Sequence, residues 1–218
     1  LTERLGEGRL DLFQKDLRSL LRIIFWMALP TSVVIFFTRG YIVHFIRNTG
    51  DQLMAGILGC LVVAILFRTI YHMAARAFYA RQDTKTPLYI SVFSISLNIA
   101  LAIILTMNLN MGAYGLAWAQ STVAVFEVVI LLLVMSKQMP RMFNRAFVTA
   151  IGKMIAASAV AGVVCYIGVS VMPFRDTDSS FFSAFPKFTI ISIVSFGVYL
   201  LMSKLLRLPE VDPILKKG

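Results

Sequence analysis

The sequence is poor in charged residues, in cysteine and in histidine. Charged side chains make up 15% of its 218 residues, whereas soluble domains carry about 25%. Two cysteines and two histidines are too few for a disulfide framework or a zinc site, because both need several ligands at close spacing. The shortage of charge argues against a soluble domain, and the shortage of ligands predicts that the protein holds no metal.

The sequence also lacks the residue combinations that enzymes use. It shows no nucleophile beside a base, no glycine-rich phosphate loop and no pair of neighbouring carboxylates. We therefore predict that the protein is not an enzyme and that it needs no cofactor.

Long apolar runs take the place of charge. Hydrophobic residues reach 58% of the sequence, and the mean hydropathy is +0.79. Several runs are as long as the roughly 20 residues that a helix needs to cross a bilayer. We predict an all-α integral membrane protein with six transmembrane helices. The predicted spans are 19–38, 52–80, 88–107, 113–136, 147–172 and 188–206.

These spans divide the chain into four parts. Residues 1–18 are predicted to form a charged amphipathic or linker segment, and residues 19–137 a group of four helices. Residues 147–206 hold two additional helices, and residues 207–218 form a tail. In the first span, Pro30 predicts a kink because proline removes a helix hydrogen bond. Arg39-Gly40 is predicted to end that span, with residues 41–51 as a connection.

The net charge of +10 predicts contact with a membrane surface rather than with nucleic acid. Most basic residues flank the apolar runs instead of covering one polar face, so anionic membrane lipids are the expected partners. The basic residues that flank the spans fall mainly on the side that carries both ends of the chain. The positive-inside rule therefore predicts that both ends are cytoplasmic.

Three basic residues share one face of the second span. Arg68 lies near its middle, and His72 and Arg76 follow at intervals of four residues. A charge at that depth normally faces the protein interior or a water-filled cavity. Three interpretations of Arg68 stay open: contact with an anionic substrate group such as a phosphate, an ion pair with Glu127, or snorkelling along the helix. For Arg76 alone, a cytoplasmic anchor is the simpler interpretation.

Glu127 in the fourth span and Asn98 in the third complete the set of candidate cavity residues. Glu127 is either the ion-pair partner of Arg68 or a carboxylate that couples transport to protons, because both uses are known for acids within membranes. Asn98 predicts a hydrogen bond between helices, which contributes about 0.6 kcal/mol in a membrane.

The turn after the second span carries the most distinctive sequence of the chain. It reads Arg76-Ala-Phe-Tyr-Ala-Arg-Gln-Asp-Thr-Lys-Thr-Pro87, with Asn98 and then Gly112-Ala-Tyr-Gly-Leu-Ala-Trp-Ala119 downstream. This combination resembles the MurJ/MviN family, the lipid II flippases of peptidoglycan synthesis. The residues of the turn that carry the resemblance are Phe78, Tyr79, Asp83, Thr84, Thr86 and Pro87.

The resemblance implies a fold and an activity. Family members have two six-helix lobes and two further helices, so this chain would hold helices nine to fourteen and would lack the N-terminal lobe, its expected partner. The chain begins at Leu1 without a methionine, which also suggests part of a longer protein. The implied activity moves lipid II, a polyprenyl-pyrophosphate glycolipid, to the outer leaflet of the bacterial plasma membrane by alternating access. The membrane potential or an ion gradient would drive it, and the last two spans would form the groove for the polyprenyl tail.

The sequence departs from the family pattern at two positions, and two alternative functions stay open. Some members bind a cation through an asparagine, an acid one turn later and a hydroxyl. Here Asn98 is present, but Ala102 and Gln120 stand at the other two positions, so we do not expect that cation site. The alternatives are a flippase for another polyprenyl-linked polysaccharide and a non-transporting membrane scaffold of cell-wall synthesis.

Overall fold

The computed structural model describes residues 10–47, 51–139, 142–172, 181–208 and 210. These residues form six α-helices: α1 (Leu10–Arg47), α2 (Gln52–Ala80), α3 (Lys85–Ile103), α4 (Ala113–Gln138), α5 (Arg145–Val171) and α6 (Phe181–Leu205). Each helix contains a stretch that is long and apolar enough to cross a membrane. The prediction of an all-α membrane protein with six spanning helices is therefore confirmed. Residues 1–9 of the predicted amphipathic segment, 173–180 of the predicted loop and 211–218 of the tail lie outside the described residues.

The first helix begins earlier than the sequence predicted. We expected a linker over 1–18 and a span over 19–38, but residues 10–18 belong to α1. Phe13 and Leu17 lie one helical turn apart and are fully buried in the core. Their burial stabilises the added turns, which is why the charged residues around them do not end the helix. Pro30 lies inside the helix, and its kink stays a prediction.

The same helix also ends later than predicted. Arg39-Gly40 was expected to end the span, and residues 41–51 to form a connection, but α1 continues to Arg47. Tyr41 and Val43 are buried beyond the predicted end. Their packing outweighs the weak helix propensity of glycine, which costs about 1 kcal/mol relative to alanine.

The second helix has the bounds that the sequence predicted. It begins after Asp51, whose carboxylate accepts hydrogen bonds from the backbone N–H groups of Leu53 and Met54. This cap satisfies two of the N–H groups that have no partner within the helix. Its 29 residues extend about 43 Å, more than the roughly 30 Å of the hydrocarbon core. The helix must therefore tilt or project beyond the membrane.

The third and fourth helices approach each other closely at their connected ends. After Ile103, α3 continues as a π-helical turn, Ile104–Asn108. Gly115 of α4 packs against this turn, because a β-carbon at Gly115 would lie 2.9 Å from the carbonyl carbon of Leu105. The start of α4 therefore packs closely against the end of α3. The α3 helix begins at Lys85, three residues before the predicted span 88–107.

Two glycines of α5 allow it to pack closely against α1 and α6. A β-carbon at Gly162 of α5 would lie 2.9 Å from Val33 of α1, and one at Gly168 would lie 3.2 Å from Ile191 of α6. Glycine at these positions lets the helices approach each other.

The sixth helix begins at Phe181 rather than at residue 188. Ala184, within the segment predicted as loop, is fully buried beside Tyr41 and Cys165. This packing explains why the helix extends upstream of its most apolar part and through Pro186.

The six helices lie in the spatial order α3, α4, α2, α1, α5, α6. The larger core lies among α1, α2 and α4, where Phe78, Leu131 and Met135 are fully buried. A second core joins α1 to α5 and α6 around Trp26. There the indole N–H of Trp26 donates to the Ser203 hydroxyl at 3.3 Å. The α3 helix packs mainly against α4 and leaves much of its surface exposed.

Substitution of Gly115 by alanine should destabilise the protein. The added methyl group would meet the backbone of the π-helical turn, and overpacking of this kind costs about 1–3 kcal/mol. We expect a lower midpoint of thermal unfolding in detergent for Gly115→Ala. Gly152→Ala is the matched control, because nothing lies within 4 Å of a β-carbon there. Equal midpoints for the two variants would contradict the close approach of α3 and α4.

Candidate functional site

A polar cavity of about 310 Å³ lies between α2, α3 and α4. It combines one acid, one guanidinium, one imidazole, two amides and several hydroxyl groups within spanning helices. Such groups are costly in a membrane and mark functional sites there by default. The lining residues are Arg68, Tyr71, His72, Ser91, Ser94, Ile95, Asn98, Ile99, Gln120, Val123 and Glu127.

The register between α2 and α4 places Arg68 level with Glu127. At the ends of these helices, Arg81 donates to the side-chain oxygen of Gln138 at 2.7 Å. In their other half, the Ser121 hydroxyl donates to the carbonyl of Cys60 at 2.6 Å. The bonded residues are separated by 57 and 61 positions in the sequence. The separation of Arg68 and Glu127 falls between these two values, so both helices bring them to the same depth.

Arg68 and Glu127 face the same cavity without a direct contact. Both line it, but the described salt bridges do not join them. Of the three interpretations of Arg68, the structure therefore favours the cavity and provides no direct ion pair. Within the described residues, Arg68 is exposed and Glu127 is partly buried.

The two other basic candidates on α2 have different locations. His72 follows Arg68 by one turn and lines the same cavity, with its ring 5.8 Å from the ring of Tyr71. Arg76, another turn along, is exposed and does not line the cavity. Arg76 lies about one turn beyond this cavity, and its assignment as a substrate-binding residue stays a prediction. The interpretation of Arg76 as a cytoplasmic anchor stays a prediction.

Asn98 makes the hydrogen bond between helices that the sequence predicted. Its amide N–H donates to the side-chain oxygen of Gln120 on α4 at 2.8 Å. This bond satisfies one hydrogen-bonding group of each amide, and both side chains line the cavity. Within the described residues, His, Cys, Asp and Glu form no group of three or more that could hold a metal.

Tyr71 is a cavity residue that the sequence reasoning missed. Its hydroxyl lies 2.7 Å from the hydroxyl of Ser91 and 3.4 Å from the carbonyl oxygen of Pro87, so it joins α2 to α3. The sequence feature that could have identified Tyr71 is its polar hydroxyl within an apolar helix, next to His72. A buried tyrosine hydroxyl usually needs a hydrogen-bond partner. Its hydroxyl fixes the end of the cavity nearest the turn.

The turn between α2 and α3 is built around Asp83. Its carboxylate accepts hydrogen bonds from the backbone N–H of Thr86 at 3.1 Å and from the Thr86 hydroxyl at 2.7 Å. The side chain of Thr84 makes no capping bond, so Asp83 serves as the cap of α3. On either side of the turn, Phe78 and Pro87 are buried. Tyr79 is exposed.

The hydrogen bonds from Thr86 lower the pKa of Asp83 below its ordinary value of 3.8. The folded protein therefore favours the charged carboxylate more than the unfolded chain does. The resulting stabilisation is fully present above the ordinary value and is lost as the pH falls through the lower folded value.

Replacement of Asp83 by alanine should weaken the start of α3. Loss of a helix cap costs about 1 kcal/mol, so we expect a lower thermal midpoint for Asp83→Ala at neutral pH. The difference from the wild type should shrink as the pH falls from 3.8 through the lower folded pKa of Asp83, because proton uptake then favours the unfolded chain and finally neutralises the folded carboxylate. Thr84→Ala is the matched control and should leave the midpoint unchanged. A difference that is independent of pH would contradict this role of the carboxylate.

A second, largely apolar cavity of about 460 Å³ lies among α1, α2 and α4. Arg39 stands at its wall, where its guanidinium donates to the carbonyl of Phe36 at 2.7 Å and lies 4.7 Å from the centre of that ring. Cys60 also lines it, and both cysteines of the chain are free.

The fold and the polar cavity define a multi-pass helical membrane protein with a polar site inside its spanning region. Comparison with known families makes the assignment specific. The family model described as lipid II flippase MurJ matches residues 1–203. The chain therefore belongs to the MurJ family.

Two relatives and one solved structure show how much of a family member the chain represents. It is 27% identical over 212 residues to the probable lipid II flippase MurJ of Thermotoga maritima, covering 94% of this chain and 41% of the relative. It is 26% identical over 125 residues to the corresponding protein of Borreliella burgdorferi, covering 54% of this chain and 24% of that relative. A structure of lipid II flippase MurJ in an inward closed conformation has the same fold, with a TM-score of 0.74 and 23% identity over 94% of this chain and 41% of that one. The matched part of the chain thus spans about two-fifths of the Thermotoga relative and of the solved structure, and about a quarter of the Borreliella relative.

Proposed function

We propose that the chain is the C-terminal portion of a flippase that moves lipid II from the cytoplasmic to the outer leaflet. The observation that carries this proposal is the match of the MurJ family model to residues 1–203. Because the chain spans 41% of the Thermotoga relative, the activity belongs to the whole protein. The remaining helices, including an N-terminal lobe, are the expected partner of this chain.

The polar cavity supports a role in binding the charged part of the substrate. Lipid II carries a pyrophosphate between its sugars and its polyprenyl tail. Arg68 offers the planar guanidinium that suits phosphate oxygens, and His72 offers a second nitrogen one turn away. Asn98 and Gln120 add amides that can bond to sugar or peptide groups. The proposed contact is between Arg68 and the pyrophosphate.

The proposed transport cycle is one of binding and conformational change rather than of bond breaking. The cavity residues would hold the head group while the two lobes of the full protein alternate in their opening. The membrane potential or an ion gradient would supply the driving force. The groove between α5 and α6 is proposed to take the polyprenyl tail, since apolar residues such as Val164 and Ile190 line a small cavity there.

Removal of the Arg68 guanidinium should abolish the function. A hydrogen bond to a charged group contributes about 1.5–3 kcal/mol, so Arg68→Ala should weaken substrate binding by about tenfold or more. We expect the full-length variant not to rescue a bacterial strain depleted of its own lipid II flippase. Arg76→Ala is the matched control, because Arg76 lies on the same helix outside the cavity, and it should rescue growth. Normal rescue by Arg68→Ala at wild-type expression would exclude the proposed contact.

The orientation of the chain is also a proposal, and labelling can test it. The positive-inside rule puts the turn at Thr84 in the cytoplasm and the turn at Met111 outside. Cys60 and Cys165 should first be replaced by alanine, and a single cysteine placed at Thr84 or Met111. An impermeant thiol reagent added to intact cells should label Met111→Cys and spare Thr84→Cys until the cells are opened. The reverse pattern would invert the proposed topology.

A further inference from the structure

Arg68 and Glu127 are opposite charges at one depth that do not bond to each other. Within the described part of the chain, neither side chain makes a hydrogen bond or a salt bridge, and both line the 310 Å³ cavity. This volume exceeds that of several water molecules at about 30 Å³ each. A group that enters the cavity therefore finds a guanidinium and a carboxylate at the same level.

An anionic ligand would meet these two groups with opposite effects. Arg68 attracts a phosphate, whereas the carboxylate of Glu127 repels it and also competes for the same guanidinium. Charge interactions of this kind are strong where water is partly excluded. Protonation of Glu127 removes both the repulsion and the competition. The neutral acid can even donate a hydrogen bond, which the carboxylate cannot.

We propose that Glu127 is a proton-binding site that competes with the pyrophosphate of the substrate for Arg68. This inference rests on the proposed function. The ligand binds when the Glu127 carboxylate takes up one proton from the adjoining solution, and loss of that proton favours release. No bond other than the O–H bond of the carboxyl group forms. The proton is therefore the ion to which this cavity couples substrate binding.

Thermodynamic linkage makes the coupling between proton binding and ligand binding reciprocal. If protonation of Glu127 raises the affinity for the pyrophosphate, binding of the pyrophosphate must favour protonation by the same factor. Coupling between two sites is typically about 5–150-fold.

Within the part of the chain that the structure describes, few charged or titratable groups face Glu127. The α4 helix packs against α2 and α3, including the π-helical turn. From α2, the cavity receives Arg68, Tyr71 and His72, whereas its lining residues from α3 carry no charge. Arginine stays protonated, whereas an imidazole can bind a proton, and the cavity contains one at His72. A test must therefore separate Glu127 from His72.

The test measures the affinity of the full-length protein in nanodiscs for undecaprenyl pyrophosphate between about pH 5 and pH 8. The variants are Glu127→Gln, Glu127→Asp and His72→Gln. Because the ligand itself titrates in every sample, the quantity to compare is the ratio of variant affinity to wild-type affinity. Glu127→Gln mimics the protonated acid. It should bind about fivefold or more tightly than the wild type at the alkaline end, and the two should converge at the acidic end.

The other variants serve as controls for the carboxylate and for the histidine. Glu127→Asp retains a carboxylate and should follow the pH dependence of the wild type, and it serves if Glu127→Gln does not fold. His72→Gln should also keep the dependence that the wild type shows. The effects of Arg68→Ala and Glu127→Gln should be non-additive in the double variant, because they act on one contact.

Four outcomes of these measurements would contradict different parts of the proposal. A ratio of Glu127→Gln to wild type that does not change with pH would overturn the proton site while leaving the proposed function intact. Loss of the pH dependence in His72→Gln, with Glu127→Gln unaffected, would overturn it in favour of the histidine. Strict additivity of Arg68→Ala and Glu127→Gln would remove the competition for Arg68. Failure of the wild type to bind the probe at any pH would contradict the substrate contact of the proposed function.

Discussion

The pairing of α2 with α4 is the constraint on which the rest of the structure depends. Small side chains bring the two helices together, since the Tyr114 ring lies so close to Gly56 that a β-carbon would not fit. Polar contacts fix their register on both sides of the cavity. This register carries Arg68 and Glu127 to one depth, and α3 closes the third wall by packing on α4. A shift of one helical turn would place the two charges at different depths in the membrane.

Much of the fold followed from the sequence because apolar length and turn residues dominate in a membrane. The bounds of α2 were predicted because Asp51 caps its start and the charged turn ends it. The bounds of α1 were not, since Phe13 and Tyr41 are stabilised by contacts with helices distant in the sequence. A single sequence shows where a helix can end, whereas packing decides whether it does.

The candidate site was predictable to a similar extent. Arg68, His72, Asn98 and Glu127 were chosen because polar groups within spans are costly, and all four line one cavity. Arg76 shared the helical face but lies outside the cavity, since periodicity gives direction and not the depth at which a cavity ends. Tyr71 was missed because its contact with Ser91 on α3 depends on how two helices meet. Family membership supplies the transport class, and the contacts of the cavity suggest which residues of this portion take part.

A structure of the full-length protein with bound lipid II would test the central claim most directly. The measurement is the distance between the guanidinium nitrogens of Arg68 and the oxygens of the substrate pyrophosphate. The account predicts charge-assisted hydrogen bonds of about 2.7–2.9 Å, with the pyrophosphate at the level of Glu127. A pyrophosphate bound elsewhere, with side chains from other helices filling the cavity around Arg68, would contradict it.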